Sequence, residues 1–211
     1  LLPRLSGPAA DLVGVTCLAS AAFFIVSGGA VLFDAVGLLD PWFYTGLVAD
    51  YSQLLERFGR TYYSTRISST WPQSLAFLVT EDAAYRAFRW LILVACGGGL
   101  AAFLRPAAGR VVAYSAGVGI IFSAPLLLEA ADDYPIEVAL GYCFLALAPL
   151  FARRAAWSLI GGALISLGLN AAEGAIYFVG PVLVGWIVFT FMTRGLRSII
   201  SRGALFAAGF V

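Results

Sequence analysis

Histidine and lysine are both absent, and the thirteen basic residues are all arginine. Without an imidazole the chain cannot ligate haem through histidine, build a histidine-type metal centre or use a histidine general base. Without a lysine amine it cannot form a Schiff base to retinal or pyridoxal phosphate. Charge of either sign is scarce, at 12% of residues, where a soluble domain carries roughly a quarter. Hydrophobic residues make up 61%, and the mean hydropathy is +0.91. This is the composition of a chain whose solvent is a bilayer. No charged tail is present, so nucleic acid is not an expected partner. The three cysteines lie far apart inside apolar runs, without metal-ligand spacing, and are expected to be small buried hydrophobes.

Six apolar segments can be drawn, at about 12–33, 83–104, 111–128, 136–151, 157–169 and 174–192. The first would reach about 33 Å as a helix, enough for a bilayer core of about 30 Å. Joined, the last two would reach about 54 Å, too long for one span. Asn170 and Glu173 mark the break that makes them a hairpin. A fresh apolar run occupies 203–211, and the chain begins at Leu1 without a methionine, so it reads as a piece of a longer protein. The expected fold is all-α: a single membrane domain over 1–211, a polytopic bundle of about six spans with the start of a seventh.

Charge placement gives the orientation. Arg4, Arg105, Arg110, Arg153, Arg154, Arg194, Arg197 and Arg202 fall on one side of the alternating segments. The positive-inside rule makes that side cytoplasmic. All acidic residues except Asp11 fall on the other. The expected location is the cytoplasmic (inner) membrane, multi-pass, with acidic loops on the periplasmic or extracellular side. The first outer loop, 34–82, is the one long connector. Within it Leu47, Tyr51, Leu54, Leu55 and Phe58 recur at helical spacing, which predicts an amphipathic surface helix. Gly59 is its expected stop, and a second, mostly apolar surface piece covers 71–79. The glycines at 28–29, 97–99 and 161–162 are expected to allow close helix approach.

Two acidic groups face the outer side: Asp40, just after the first span, and Glu129, Asp132 and Asp133 between the third and fourth. Paired acids there suit a divalent cation, Mg or Mn, or a general base. Asp40-Pro41 reads equally as a helix start, with Asp as cap and Pro at the first position. Asp133 ahead of Pro135 reads the same way. Glu173 is expected slightly below the outer surface, or as a snorkelling carboxylate at a tight turn. In Thr61-Tyr62-Tyr63-Ser64-Thr65-Arg66, the guanidinium suits a phosphate, or serves as an interfacial anchor.

The run Asp40-Pro41-Trp42-Phe43-Tyr44-Thr45-Gly46, a surface helix, then Phe58-Gly59-Arg60-Thr61-Tyr62-Tyr63-Ser64-Thr65-Arg66 and Pro72 resembles a known pattern. It is similar to the amino-terminal half of bacterial GT-C glycosyltransferases of the dolichyl-phosphate-mannose–protein mannosyltransferase-like type. The resemblance implies a polyprenyl-phosphate sugar donor, attacked at the anomeric carbon with inversion. It implies Asp40 as the general base on the acceptor hydroxyl, with Asp132, Asp133 and Glu129 as supporting acids or metal ligands. Tyr44, Tyr63 and Arg66 are the matching substrate contacts. Members of that family continue through more helices, and the residue holding the lipid phosphate usually comes from that later part. The rival expectation is a non-catalytic membrane subunit packed within a larger complex. A transporter is disfavoured, because no charged residue is expected in mid-span.

Overall fold

The computed structural model describes residues 8–27, 40–80, 82–123 and 135–211. Nearly all of them are helical, and among the described residues there is no strand. Helix α1 (Pro8–Ser27) starts with proline in its first turn, where a missing N–H costs nothing. Two short helices follow, α2 (Asp40–Ala49) and α3 (Tyr51–Phe58), and then α4 (Ile67–Thr80). The long α5 (Asp82–Ile121) is broken at Gly109, which takes φ 79° and ψ 172°. The remaining helices are α6 (Pro135–Phe151), α7 (Trp157–Ala171), α8 (Ile176–Arg194) and α9 (Leu196–Phe210).

The break at Gly109 turns α5 into a hairpin. A Cβ on Gly117 would sit 2.6 Å from the carbonyl oxygen of Gly97, so the two arms touch backbone to backbone. The arms overlap the apolar segments expected at 83–104 and 111–128, of which 124–128 lie outside the described residues. Gly99 meets the backbone of Phe144 on α6, Gly168 meets Cys143, and Gly161 meets Leu150. Of the glycines expected to allow close approach, Gly97, Gly99, Gly161 and Gly162 do so, Gly98 does not, and Gly28-Gly29 lie outside the described residues. Helix α9 packs on the first half of α7, where Gly162 and Gly209 meet the backbones of Phe206 and Leu159.

Successive long helices alternate in direction, which gives the bundle two distinct ends. At one end Asp11 of α1 bridges Arg105 (2.9 Å) and Arg110 (2.6 Å) at the α5 bend. The same end holds Arg194 and Arg202, each donating to the carbonyl of Ala152 at 3.0 Å. Those contacts satisfy carbonyls just past the end of α6, as basic side chains do near a helix C-terminus. Asp11, the one acid on the basic side, is thereby explained. At the other end lie the start of α6, the finish of α7 and the 3-10 turn Glu173–Ala175, beside Ile136.

Two helical stretches, Arg86–Ile121 and Glu173–Arg194, are long and apolar enough to cross a membrane. Three shorter apolar ones accompany them, at Ala10–Ile25, Pro135–Phe151 and Trp157–Ala171. Large apolar side chains such as Ile25, Val111, Tyr177, Val184 and Met192 point outward from several helices.

Several expectations change. The surface helix expected across 47–58 is two helices. Asp50 interrupts it, caps α3 with its side chain on the N–H of Gln53 (3.4 Å), and starts a new axis. Gly59 ends α3 as expected, at φ 70°. Cys96 and Cys143 are buried, but Cys17 is exposed on the outer face of α1. The stretch 71–79 belongs to a longer helix that begins at Ile67. Its Pro72 cannot donate to the carbonyl of Ser68, and the Tyr142 hydroxyl takes that acceptor instead at 3.1 Å. The run 203–211 forms most of α9, packed on α7.

Candidate functional site

The segment between α3 and α4 is shaped by short polar side chains bonding to nearby backbone, the local habit of serine and threonine. Thr61 N donates to Ser64 Oγ at 2.8 Å, and Ser64 N returns a bond to Thr61 Oγ1 at 3.3 Å. Thr65 Oγ1 donates to the carbonyl of Tyr62 at 2.7 Å, and the Tyr51 hydroxyl to that of Ser64 at 2.9 Å. This tight 3-10 turn, Tyr63–Thr65, throws the side chain of Arg66 inward.

Arg66 is 8% exposed, and three side chains receive it. Its guanidinium carbon lies 4.4 Å from the ring centre of Tyr62 and 5.7 Å from that of Tyr44. Both are cation–π distances. Its Nη2 donates to the Tyr62 hydroxyl, which in turn donates to Glu173 Oε1. The same Nη2 is 3.5 Å from that carboxylate oxygen, on a side chain 74% exposed. Tyr63 packs edge-on against Tyr44 at 5.3 Å and against Tyr62 at 5.5 Å. An apolar hollow of about 280 Å³ opens beside this aromatic cage, lined by Leu47, Leu54, Leu55, Phe58, Tyr62 and Tyr63.

The cage is fastened to the bundle through the first turn of α4. Ser68 N donates to Asn170 Oδ1 (2.9 Å), its hydroxyl to the carbonyl of Leu167 (2.6 Å), and Asn170 Nδ2 to the carbonyl of Thr65 (3.3 Å). Further along α4, Gln73 meets Arg89 of α5 at 3.5 Å. Arg89 forms an ion pair with Glu137 of α6, and both side chains are wholly buried. Neither lies in mid-span: Arg89 is near the start of α5, and Glu137 is in the first turn of α6. Glu137, read as one of the outer acids, turns inward because Arg89 is there to neutralise it, and each charge would be costly without the other.

Of the candidate residues, Tyr44, Tyr63 and Arg66 come together. Asp40 is the first residue of α2, the helix that carries Tyr44, and its side chain lies outside the described residues. Glu129, Asp132 and Asp133 also lie outside them. Among the described residues no three metal-binding side chains gather. Sequence reasoning singled out Glu173 without its partner, and it missed Tyr62, Asn170, Gln73 and the Arg89–Glu137 pair. The available signal was opposite charges within apolar runs, which in such helices point inward and towards each other. No protein family, curated protein or solved structure matches the chain.

Proposed function

We propose that the chain is a polytopic membrane glycosyltransferase of GT-C type. It moves a sugar from a polyprenyl-phosphate donor to an acceptor hydroxyl at the outer face of the cytoplasmic membrane. The observation that carries this reading is the convergence of Tyr44, Tyr63 and Arg66 at one end of the bundle. All three belong to the motifs that resemble the family, and they meet around one nearly buried guanidinium.

The membrane setting is supported by outward-facing apolar side chains, a pattern at odds with water as the surrounding solvent. It is supported also by the gathering of Arg105, Arg110, Arg194 and Arg202 at the opposite end, which the positive-inside rule makes cytoplasmic. The acceptor oxygen attacks the anomeric carbon and the sugar–phosphate bond breaks. Asp40 takes the acceptor proton, and polyprenyl phosphate leaves with the bonding pair. Arg66 and the Tyr62 hydroxyl supply hydrogen-bond donors for a phosphate. Glu173, largely exposed, turns outward to yield its place on Arg66 to the donor anion.

A second reading, a non-catalytic subunit of a larger membrane complex, is favoured by the same Glu173–Arg66 contact, which satisfies the cation without a ligand. Sugar transfer by purified protein from a polyprenyl-phosphate donor separates the two. Asp40→Asn keeps the side-chain shape and caps a helix almost as well as Asp, yet cannot accept the proton. Transfer is expected to drop by roughly 10²–10⁴-fold, the usual contribution of general base catalysis. Arg66→Lys loses the guanidinium fork and is expected to raise KM for the donor. Unchanged turnover in Asp40→Asn would end the case for it as the base.

A further inference from the structure

At the basic end of the bundle a groove runs from the second arm of α5 beside α1, past the bend, and onto the first arm of α5 between α1 and α6. Three adjoining hollows of about 370, 320 and 350 Å³ trace it. The first two share Asp11, Arg110 and Tyr114, and the last two share Leu12, Gly98 and Ala102. One end is charged, with Arg105 and Arg110 held side by side on Asp11. The rest is apolar and continues to Leu91. From Arg105 back to Leu91 along α5 is about 21 Å at the helical rise.

The three consecutive glycines of this arm differ in what they face. A Cβ on Gly97 would strike the carbonyl of Gly117 at 2.9 Å, and one on Gly99 that of Phe144 at 2.6 Å, so both serve helix packing. A Cβ on Gly98 would meet only the tip of Leu12 at 3.9 Å, so Gly98 faces the groove. With Ala95 and Ala102 it gives this stretch of the groove small lining residues on α5. Two guanidiniums against one carboxylate leave the mouth a net cation, and they carry far more N–H donors than its two oxygens can take. A long apolar channel ending in a basic mouth suits an amphiphile with an anionic head. Lipid phosphates are bound by such basic pockets on the cytoplasmic side of membrane proteins.

We propose that this groove binds one anionic glycerophospholipid, with its phosphate on Arg105 and Arg110 and one acyl chain along Gly98, Ala102 and Ala95. The inference rests on the membrane setting of the proposed function and is independent of sugar transfer. A lipid seated there ties α1 to α5 and α6 at the end where their charges meet.

The test is native mass spectrometry of the protein in neutral detergent with equimolar phosphatidylglycerol and phosphatidylcholine. Phosphatidylglycerol should be retained at one per chain with about a tenfold preference, equivalent to about 1.4 kcal/mol. Arg105→Gln with Arg110→Gln should bring that preference to unity. Ala102→Leu, an exposed position that changes no charge, should fill the channel and release the bound lipid. If the arginine variant fails to fold, Ala102→Leu decides alone. Equal retention of the two lipids by the native chain, or phosphatidylglycerol retained by Ala102→Leu as by the native chain, overturns the proposal. Release of the protein from membranes by alkaline carbonate would overturn the membrane setting as well. Failure of headgroup selectivity in a carbonate-resistant protein sinks the lipid site alone.

Discussion

Arg89 and Glu137 carry opposite charges, and neither has any accessible side-chain surface. A buried pair is held together largely by the cost of separating it, since removing one member leaves an uncompensated charge. Glu137→Gln is therefore expected to destabilise the protein by about 3–5 kcal/mol, read as a fall in the unfolding midpoint in detergent. Arg89→Leu with Glu137→Leu should recover most of the loss, because an apolar pair of similar volume carries no desolvation cost. An unchanged midpoint in Glu137→Gln would show that the pair contributes nothing. Gly59 acts at the same scale by a different cause. Its φ of 70° with ψ of −167° is a region that side-chain-bearing residues avoid, so Gly59→Ala should cost about 1–3 kcal/mol although no atom crowds the site.

Among the elements, α9 depends most on a single close approach. Gly162 and Gly209 lie directly against the backbones of Phe206 and Leu159, so neither position has room for a side chain. The helix is otherwise held by Arg202 on the carbonyls of Ala152 and Arg153 and by Phe206 against Trp186. Gly162→Leu should lift α9 from α7 and open the corner at Gly195. Limited trypsin digestion would report this as faster cleavage at the exposed Arg197. Cleavage at the native rate would mean that the Arg202 contacts and the Phe206–Trp186 contact hold α9 without the glycine approach. On the far side of the bundle, α4 is tied to α7 through Ser68 and Asn170, and its Ser74 donates to the carbonyl of Leu47 on α2, the helix that carries Tyr44.

For the molecule as a whole, the gathering of Arg105, Arg110, Arg194 and Arg202 at the end away from the cage makes sidedness testable. In a Cys17→Ser background, single cysteines at Gln53 and at Arg153 should react with an impermeant maleimide from opposite sides of a sealed vesicle. Both positions are exposed, and the buried Cys96 and Cys143 should stay silent. Labelling of both from one side would rule out the alternating six-span arrangement.

The all-helical character was legible in the sequence because it follows from local terms. Apolar runs, Gly59 as a stop and the Asn170–Glu173 break all act within a few residues of themselves. Even there Asp50 went unread as a cap, because an acid on the polar face of a helix and an acid starting the next helix look alike in one dimension. Part of the candidate site was legible: Tyr44, Tyr63 and Arg66 were picked out from two separate motifs, and they lie together. Tertiary structure alone decided which charges pair. Tyr62 finds Glu173 across 111 residues, Asp11 finds Arg105 and Arg110, and Arg89 finds Glu137. A charge in an apolar helix needs a partner, but sequence spacing does not say which helix supplies it. That choice belongs to the packing, where glycines at 97, 99, 117, 161 and 168 bring particular helix faces into contact and leave Gly98 facing an open groove.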